Sequence, residues 1–525
     1  MINREFNVTG LCVSDMHYMA DTSDKISQIM QLVEQGAYFT INRGRQYGKT
    51  TTLFLLEKQM APEYVVISIS FEAASIKMFN TESDFCIDFL DLCATALERS
   101  GLPSEAEIWK DNSVTSFNLL SNFLTKTCRD KKYVLMIDEV DKSSNNSLFL
   151  NFLGILRDKY LLRNQKKDFT FQSVILAGVY DIKNLKYKMV LAGTHKLQEG
   201  ENRQNSPWNI AIDFEVDMSL SAKEISSMLT EYEKDYNTGM NIGEIASEIH
   251  KFTNGYPFLV SRICQHIDKR LNKDWTIQGV NNAAKKVIDE KNMLADDLSK
   301  NMESYPDLKK LLWDLTVGER NVSFSSINPT VELAVTFGIV EQRNGLVAIH
   351  NRIFETTIIN YFATEKELRE SRFMRRTSKD EIIENNCLNM ELLIRRFANH
   401  YYEVYSGKNV DFLENECRVL FITYLRAIIN GVGFYHIESE IRENRRTDVI
   451  VDYLDKQFII ELKLWYGETA HEKAYAQLAN YLNSKNEDTG YMVTFDFRKE
   501  NNVGKPQIDW RKYNGKEIFD VIVGF

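Results

Sequence analysis

Asn42-Arg43-Gly44-Arg45-Gln46-Tyr47-Gly48-Lys49-Thr50-Thr51 decides the reading of this chain through what flanks it. Ala37 to Asn42 (AYFTIN) reads as a short strand, and Lys49 to Gln59 as a helix. A loop from a strand into a helix is a natural phosphate site, because the first helical N–H groups lack partners and the dipole end is positive. Gly48 permits close backbone approach, Lys49 reaches the β- and γ-phosphates, and Thr50 holds Mg²⁺. Arg45, Gln46, Tyr47 and Thr51 complete the expected cradle. In the pattern GxxxxGK[ST] the first glycine falls on Arg43, and a glycine follows one place later, so the loop is a degenerate form.

Farther along, Tyr64 to Phe71 (YVVISISF), Tyr133 to Asp138 (YVLMID) and Gln172 to Gly178 (QSVILAG) are apolar runs. Segments 82–100 and 114–129 between them have helical periodicity. Buried strands separated by helices predict an α/β layer with a mainly parallel sheet. Asp138 stands at the end of such a strand, 89 residues after Lys49, where it can orient the Mg²⁺ shell; Glu139 is the candidate to polarise the attacking water. Asp181, after the last of these strands, is a weaker candidate γ-phosphate sensor.

From about residue 219 the texture turns helical. Ser221 with Glu224 forms a capping box, a second helix covers about 242–252, and a third begins at Pro257. In 303–363, two helices precede Gly338 to Glu341 and Leu346 to Ile349, which flank Arg343-Asn344-Gly345, a hairpin turn signal. Helix, helix, hairpin resembles a winged helix. Residues 364–386 are strongly charged and read as a helical linker. The last part reads helix 410–429, strands 434–440, 447–453 and 457–464, helix 470–484 and strand 490–497. The expected division is an ATPase core over 1–218, a helical subdomain over 219–300, a winged-helix-like domain over 301–363, a charged helical linker over 364–409 and an αβββαβ domain over 410–525.

The first 360 residues resemble AAA-like P-loop ATPases of the signal-transduction (STAND) type, which place a helical subdomain with a Gly-x-Pro motif and a winged helix after the core. Gly255-Tyr256-Pro257 matches that motif, and His17-Tyr18-Met19 with Arg43-x-Arg45-Gln46-x-Gly48-Lys49-Thr50-Thr51 is similar to bacterial AAA-like proteins. The resemblance implies an ATP-controlled conformational switch with Pro257 near the nucleotide. It places no arginine finger; Arg203, in a polar loop, is the one candidate.

In the C-terminal part, Asp448 starts one strand and Glu461-Leu462-Lys463 lies on the next. Alternation along a strand puts Glu461 and Lys463 on one face. Two carboxylates and the Leu462 carbonyl suit Mg²⁺, with Lys463 positioning a water or stabilising negative charge. These residues resemble the PD-(D/E)xK phosphodiesterase superfamily, with Thr447 where its leading proline stands. Gln477-x-x-x-Tyr481 resembles that superfamily's QxxxY motif, and Gln477 is expected to face inward with Ala474, Leu478 and Tyr481. Glu416, among Phe412, Leu413, Val419 and Leu420, reads as a buried carboxylate that needs a metal or a cation beside it. Arg442, Arg445 and Arg446 could clamp phosphates; His471 reads as a surface residue.

Composition narrows the classes. The chain has 525 residues, 44% hydrophobic and 26% charged, which excludes a fibrous or disordered protein and fits several domains. The net charge of −10 disfavours a whole-surface nucleic-acid wrapper, and 16 basic against 19 acidic residues in 406–525 leave only local DNA contacts. Seven scattered cysteines without a CxxC pair argue against a disulfide framework or structural zinc and for a reducing cytoplasm. The start has no charged-then-apolar leader, and no run of about 18 apolar residues exists to span a membrane. The leading expectation is an ATP-regulated, Mg²⁺-dependent nuclease acting on DNA, a homo-oligomer suited by analogy to defence against phage or mobile DNA. The alternative is an ATP-binding regulatory switch or DNA-binding protein with an inactive nuclease-like domain.

Overall fold

The computed structural model describes residues 4–143, 147–179, 208–318, 320–369, 379–385, 387–405, 416–429, 433–438, 448–454, 456–497 and 506–524. Arg203, Asp181, Phe412, Leu413, Arg442, Arg445 and Arg446 lie outside them. The chain forms two compact units, one of residues Met1–His250, Asn254–Ala283 and Thr336–Gly338, the other of Lys251–Thr253, Ala284–Val335 and Ile339–Phe525.

The first unit is built on a parallel sheet of β1 (Tyr38–Asn42), β2 (Val65–Ser70), β3 (Tyr133–Asp138) and β4 (Ser173–Gly178), in the order β1-β4-β3-β2. Every residue of β3 and β4 is buried, which is why they read as unbroken apolar runs rather than alternating ones. The Glu82–Arg99, Phe117–Thr127 and Ser147–Asn164 helices contribute Phe85, Phe89, Leu120, Phe149 and Phe152 to the core beside these strands. Helix starts follow their caps: Thr81 accepts from the Asp84 N–H, Ser116 from that of Leu119, and Ser221 with Glu224 closes the expected box. Beyond β1, the Ile212 N–H donates to the Tyr38 carbonyl at 2.9 Å, so that edge is partly covered. The register pairs Asn42 with Gly178 and Ser70 with Asp138. The loop after Asn42 and the acid at Asp138 therefore emerge at the same, C-terminal end of the sheet, the usual ligand end of such sheets.

In the second unit the hairpin is β5 (Val340–Arg343) and β6 (Leu346–Ile349), joined by Asn344-Gly345 with φ of +50° and +78°. Residues 364–409, expected as a charged linker, hold more than that. The Arg352–Arg369 helix runs into them, β7 (Ile383–Glu384) and β8 (Cys387–Leu388) form a short hairpin, and the Met390–Tyr405 helix buries Leu393, Ile394, Phe397 and Tyr401. The expected helix 410–429 is described as Cys417–Ile429.

The C-terminal sheet has six strands, in the order β13-β14-β12-β11-β10-β9. They are β9 (Phe434–Glu438), β10 (Asp448–Tyr453), β11 (Lys456–Leu464), β12 (Thr489–Asp496), β13 (Gln507–Tyr513) and β14 (Lys516–Gly524). The expected αβββαβ order is present over β9 to β12, with the Glu468–Lys485 helix between β11 and β12. A final hairpin, β13–β14, extends it, and β14 pairs parallel to β12. The helix packs Ala474, Tyr475, Leu478 and Leu482 over Ile459, Met492 and Ile518.

Candidate functional site

The phosphate-loop residues converge as the strand ends dictate. Gly48, the residue before the Lys49–Met60 helix, has φ +80°, a left-handed conformation that an L side chain strains to adopt. Lys49 is buried, and its Nζ donates to the carbonyls of Arg43 and Gly44, both at 2.9 Å. Burial pulls its pKa below the ordinary lysine value, opposed by the nearby carboxylates of Glu139, Asp141 and Asp138. Thr50 donates its hydroxyl to Asp138 Oδ2 at 2.8 Å, so the two residues expected to hold the metal shell are in contact. Asp138 Oδ1 accepts from the Glu139 N–H at 2.9 Å. Glu139 has φ +54°; burial, then Asp138, raises its pKa above the ordinary glutamate value. Arg45 is exposed on the loop and Gln46 is half-buried with φ +57°. Thr51 Oγ1 accepts the Cys12 N–H at 3.2 Å, so its side chain ties down the N-terminal segment.

Arg43, at the first glycine's position, turns its guanidinium back onto the carbonyls of Asn42 (2.8 Å) and Val216 (3.0 Å) and over the Phe214 ring. The substitution therefore leaves the loop interior free of that side chain. Pro257 Cγ stands 4.0 Å from where a Cβ on Gly48 would be, so the Gly-x-Pro motif does lie against the loop. Gly255 has φ +71°, and a Cβ there would overlap the Leu220 carbonyl, while the Leu220 N–H donates to the Gly255 carbonyl at 2.7 Å.

In the second unit, β10 pairs antiparallel with β11 and sets Asp448 directly opposite Glu461. Glu461 is 3% exposed and forms an ion pair with Lys463 two residues on, on its own face. Leu462 is buried on the other face. The same register sets Glu438 of β9 opposite Asp448, so three acidic positions line up across three strands. On the far side of Lys463, its partner on β12 is Thr494, fully buried.

Two expectations need correction. Gln477 is exposed rather than inward-facing; the buried stripe of its helix is His471, Ala474, Tyr475, Leu478, Ala479 and Leu482, one step round the helix. Glu416 forms an ion pair with Lys366, so a cation stands beside it, one of the two partners expected for it. His471 is also buried, not on the surface: its Nε2 lies 2.9 Å from the Tyr475 hydroxyl, which donates to Asp520 Oδ2 at 2.6 Å. Asp141 went unnoticed in the sequence; its carboxylate accepts the Val179 N–H at 2.6 Å and joins the exits of β3 and β4. Its place two residues after Glu139 was the available signal. Glu438 could be found only once the strand register was known.

Residues 12–363 match the AAA-like domain family, and residues 404–505 match the PD-(D/E)XK nuclease superfamily; both are hydrolase assignments. Among solved structures, the chain is similar to a Walker-type ATPase of Pyrococcus abyssi at 11% identity, covering 67% of this chain and 99% of that one, with a TM-score of 0.47. It is also similar to the ORC2 protein of Aeropyrum pernix (10% identity, 66% and 93% covered, TM-score 0.36) and to the ORC1 protein of the same organism in complex with DNA (11%, 66% and 94%, TM-score 0.29). No curated protein matches the chain. Over residues 12–363, more than half of its length, the chain belongs to the AAA-like domain family, and it carries a PD-(D/E)XK nuclease superfamily domain at its C-terminal end.

Proposed function

We propose that this chain is an ATP-regulated, Mg²⁺-dependent nuclease that cuts DNA, with a STAND-type ATPase module governing the C-terminal phosphodiesterase domain. The observation that carries the reading is the pairing of Asp448 with Glu461 across β10 and β11, with Lys463 on the Glu461 carboxylate. Oxygen-only donors of this kind fit Mg²⁺, as do Thr50 and Asp138 in the other unit. The metal, when bound, lowers the pKa of a water and neutralises phosphate charge. Asp448 and Glu461 would hold it, aided by the Leu462 carbonyl, and Lys463 would orient the attacking water. In the ATPase module, the N–H groups of residues 45–51 bind phosphates, Lys49 shifts from loop carbonyls to phosphate oxygens, and Glu139 accepts a proton from water. Pro257 abuts the nucleotide, and the 301–363 segment, read as a winged helix, adds DNA contact or subunit association. Homo-oligomers acting in cytoplasmic defence against foreign DNA are the setting we infer.

The test is plasmid DNA with Mg²⁺, with and without ATP, for the wild type, Lys463→Ala and Lys49→Ala. Cleavage lost in Lys463→Ala and altered in Lys49→Ala supports the proposal. ATP-dependent DNA binding without cleavage in any lane favours a regulatory switch with an inactive nuclease-like domain.

A further inference from the structure

The phosphate loop lacks its first glycine, yet Gln46 within it sits in the left-handed region at φ +57°. Something outside the loop must hold that shape, since a non-glycine residue keeps such a conformation only where its surroundings over-determine it. The residues on either side of Gln46 are both anchored. The Arg45 carbonyl accepts the Tyr256 hydroxyl at 2.5 Å. Tyr47 meets the Tyr256 ring edge-on at 4.6 Å, and its hydroxyl shares a 2.7 Å hydrogen bond with that of Ser219. Tyr256 is fully buried and stands one residue before Pro257, between the left-handed Gly255 and the Pro257–Arg270 helix. A Cβ on Gly44 would lie 2.7 Å from the Phe337 carbonyl and 3.4 Å from the Tyr256 hydroxyl. Tyr256 is thus packed where the loop has no room to relax.

We propose that Tyr256 is a positioning residue for nucleotide phosphate, setting the peptide between Arg45 and Gln46 through its hydrogen bond to the Arg45 carbonyl. The inference rests on the reading of residues 42–51 as a phosphate site. In a trans peptide the carbonyl and the N–H point in opposite directions. Drawing the Arg45 carbonyl toward Tyr256 therefore turns the Gln46 N–H away from it, toward the phosphate. The middle residue of the Gly-x-Pro motif then does the work that a first glycine does by backbone freedom. It also links phosphate binding to the helix that carries Pro257, since the loop and that helix share one hydrogen bond and one aromatic contact.

The test is fluorescence titration of the full chain with a labelled ATP and a labelled adenosine, for the wild type, Lys49→Ala, Tyr256→Phe and Tyr47→Phe. Tyr256→Phe keeps the ring packing and removes only the hydroxyl. It should weaken ATP binding about 3- to 10-fold, the range of one hydrogen bond, with adenosine affinity unchanged. Tyr47→Phe, which frees the other anchor, should shift ATP affinity the same way and serves if Tyr256→Phe does not fold. A purely structural role would move both ligands together or neither, and either result overturns the proposal. ATP binding equal in the wild type and Lys49→Ala would instead overturn the phosphate-site reading, and this inference with it.

Discussion

In the phosphate loop, Lys49 rests on the neutral carbonyls of Arg43 and Gly44, and Asp138 is engaged by the Thr50 hydroxyl. In the strand pair, Lys463 rests on Glu461, a carboxylate of the same proposed site. In the first arrangement the lysine is hydrogen-bonded to amide carbonyls, with the carboxylates of Glu139, Asp141 and Asp138 nearby. In the second, a lysine neutralises an acid two residues away on the same strand. Each place combines one lysine with two oxygen-bearing side chains, and what differs is whether the lysine rests on neutral carbonyls or on a carboxylate.

The sharpest way to break that comparison is Lys463→Ala, which removes the group proposed to position the nucleophile. Plasmid cleavage should fall about 100-fold or more, while ATP affinity stays at the wild-type value. Retained cleavage would show that Lys463 is no more than a counter-ion. The next effect separates the carboxylates. Asp448→Asn should abolish Mn²⁺ binding in calorimetry, whereas Glu416→Gln should bind Mn²⁺ normally but lose about 1–3 kcal/mol of stability, because Lys366 is left without its charged partner. Equal loss of Mn²⁺ in both would place Glu416 at the metal site.

Gly255→Ala tests the mount of the phosphate loop. With φ +71° and the Leu220 carbonyl in the way, it should lower stability by about 1–3 kcal/mol in urea unfolding and weaken ATP binding along with it. The smallest effect concerns Glu139. Its pKa is raised in the folded chain, so the stability tied to its proton is full below the unfolded glutamate value and is lost as pH rises through the folded one. At neutral pH the native state therefore carries a disfavoured charge. Glu139→Gln should melt slightly higher than wild type at pH 7, with the gap closing in acid, while ATP turnover disappears. A lower melting temperature at pH 7 would contradict the shift.

The same contrast runs through what the sequence made legible. β1 to β4 were readable because strands buried on both faces leave long apolar runs, and Lys49 and Asp138 mark the ends of two of them. The β10 and β11 acids were readable because alternation and antiparallel pairing depend only on local spacing. Gln477 was misplaced because one helical step of 100° separates it from Leu478, and the choice between them was made by the Ile459, Met492 and Ile518 side chains beneath. The partner of Glu416 lies 50 residues away and the anchor of the Arg45 carbonyl 211 away, distances at which no periodicity speaks. The β13–β14 hairpin was missed because β13 is largely exposed and carries charges where a buried strand would be apolar.

The position of β4 between β1 and β3 has a bearing on how the protein is made. The Ser173 hydroxyl donates to the Ala37 carbonyl across a sequence separation of 136 residues, and no ladder joins β1 to β3 without β4. A nascent chain that has released Lys49 and Asp138 but not residues 173–178 holds both nucleotide-binding elements with nothing to register them. Such long-range pairing is slow to form. Ribosome-bound intermediates arrested before residue 173 should thus fail to retain ATP, and those arrested well after residue 220 should acquire it.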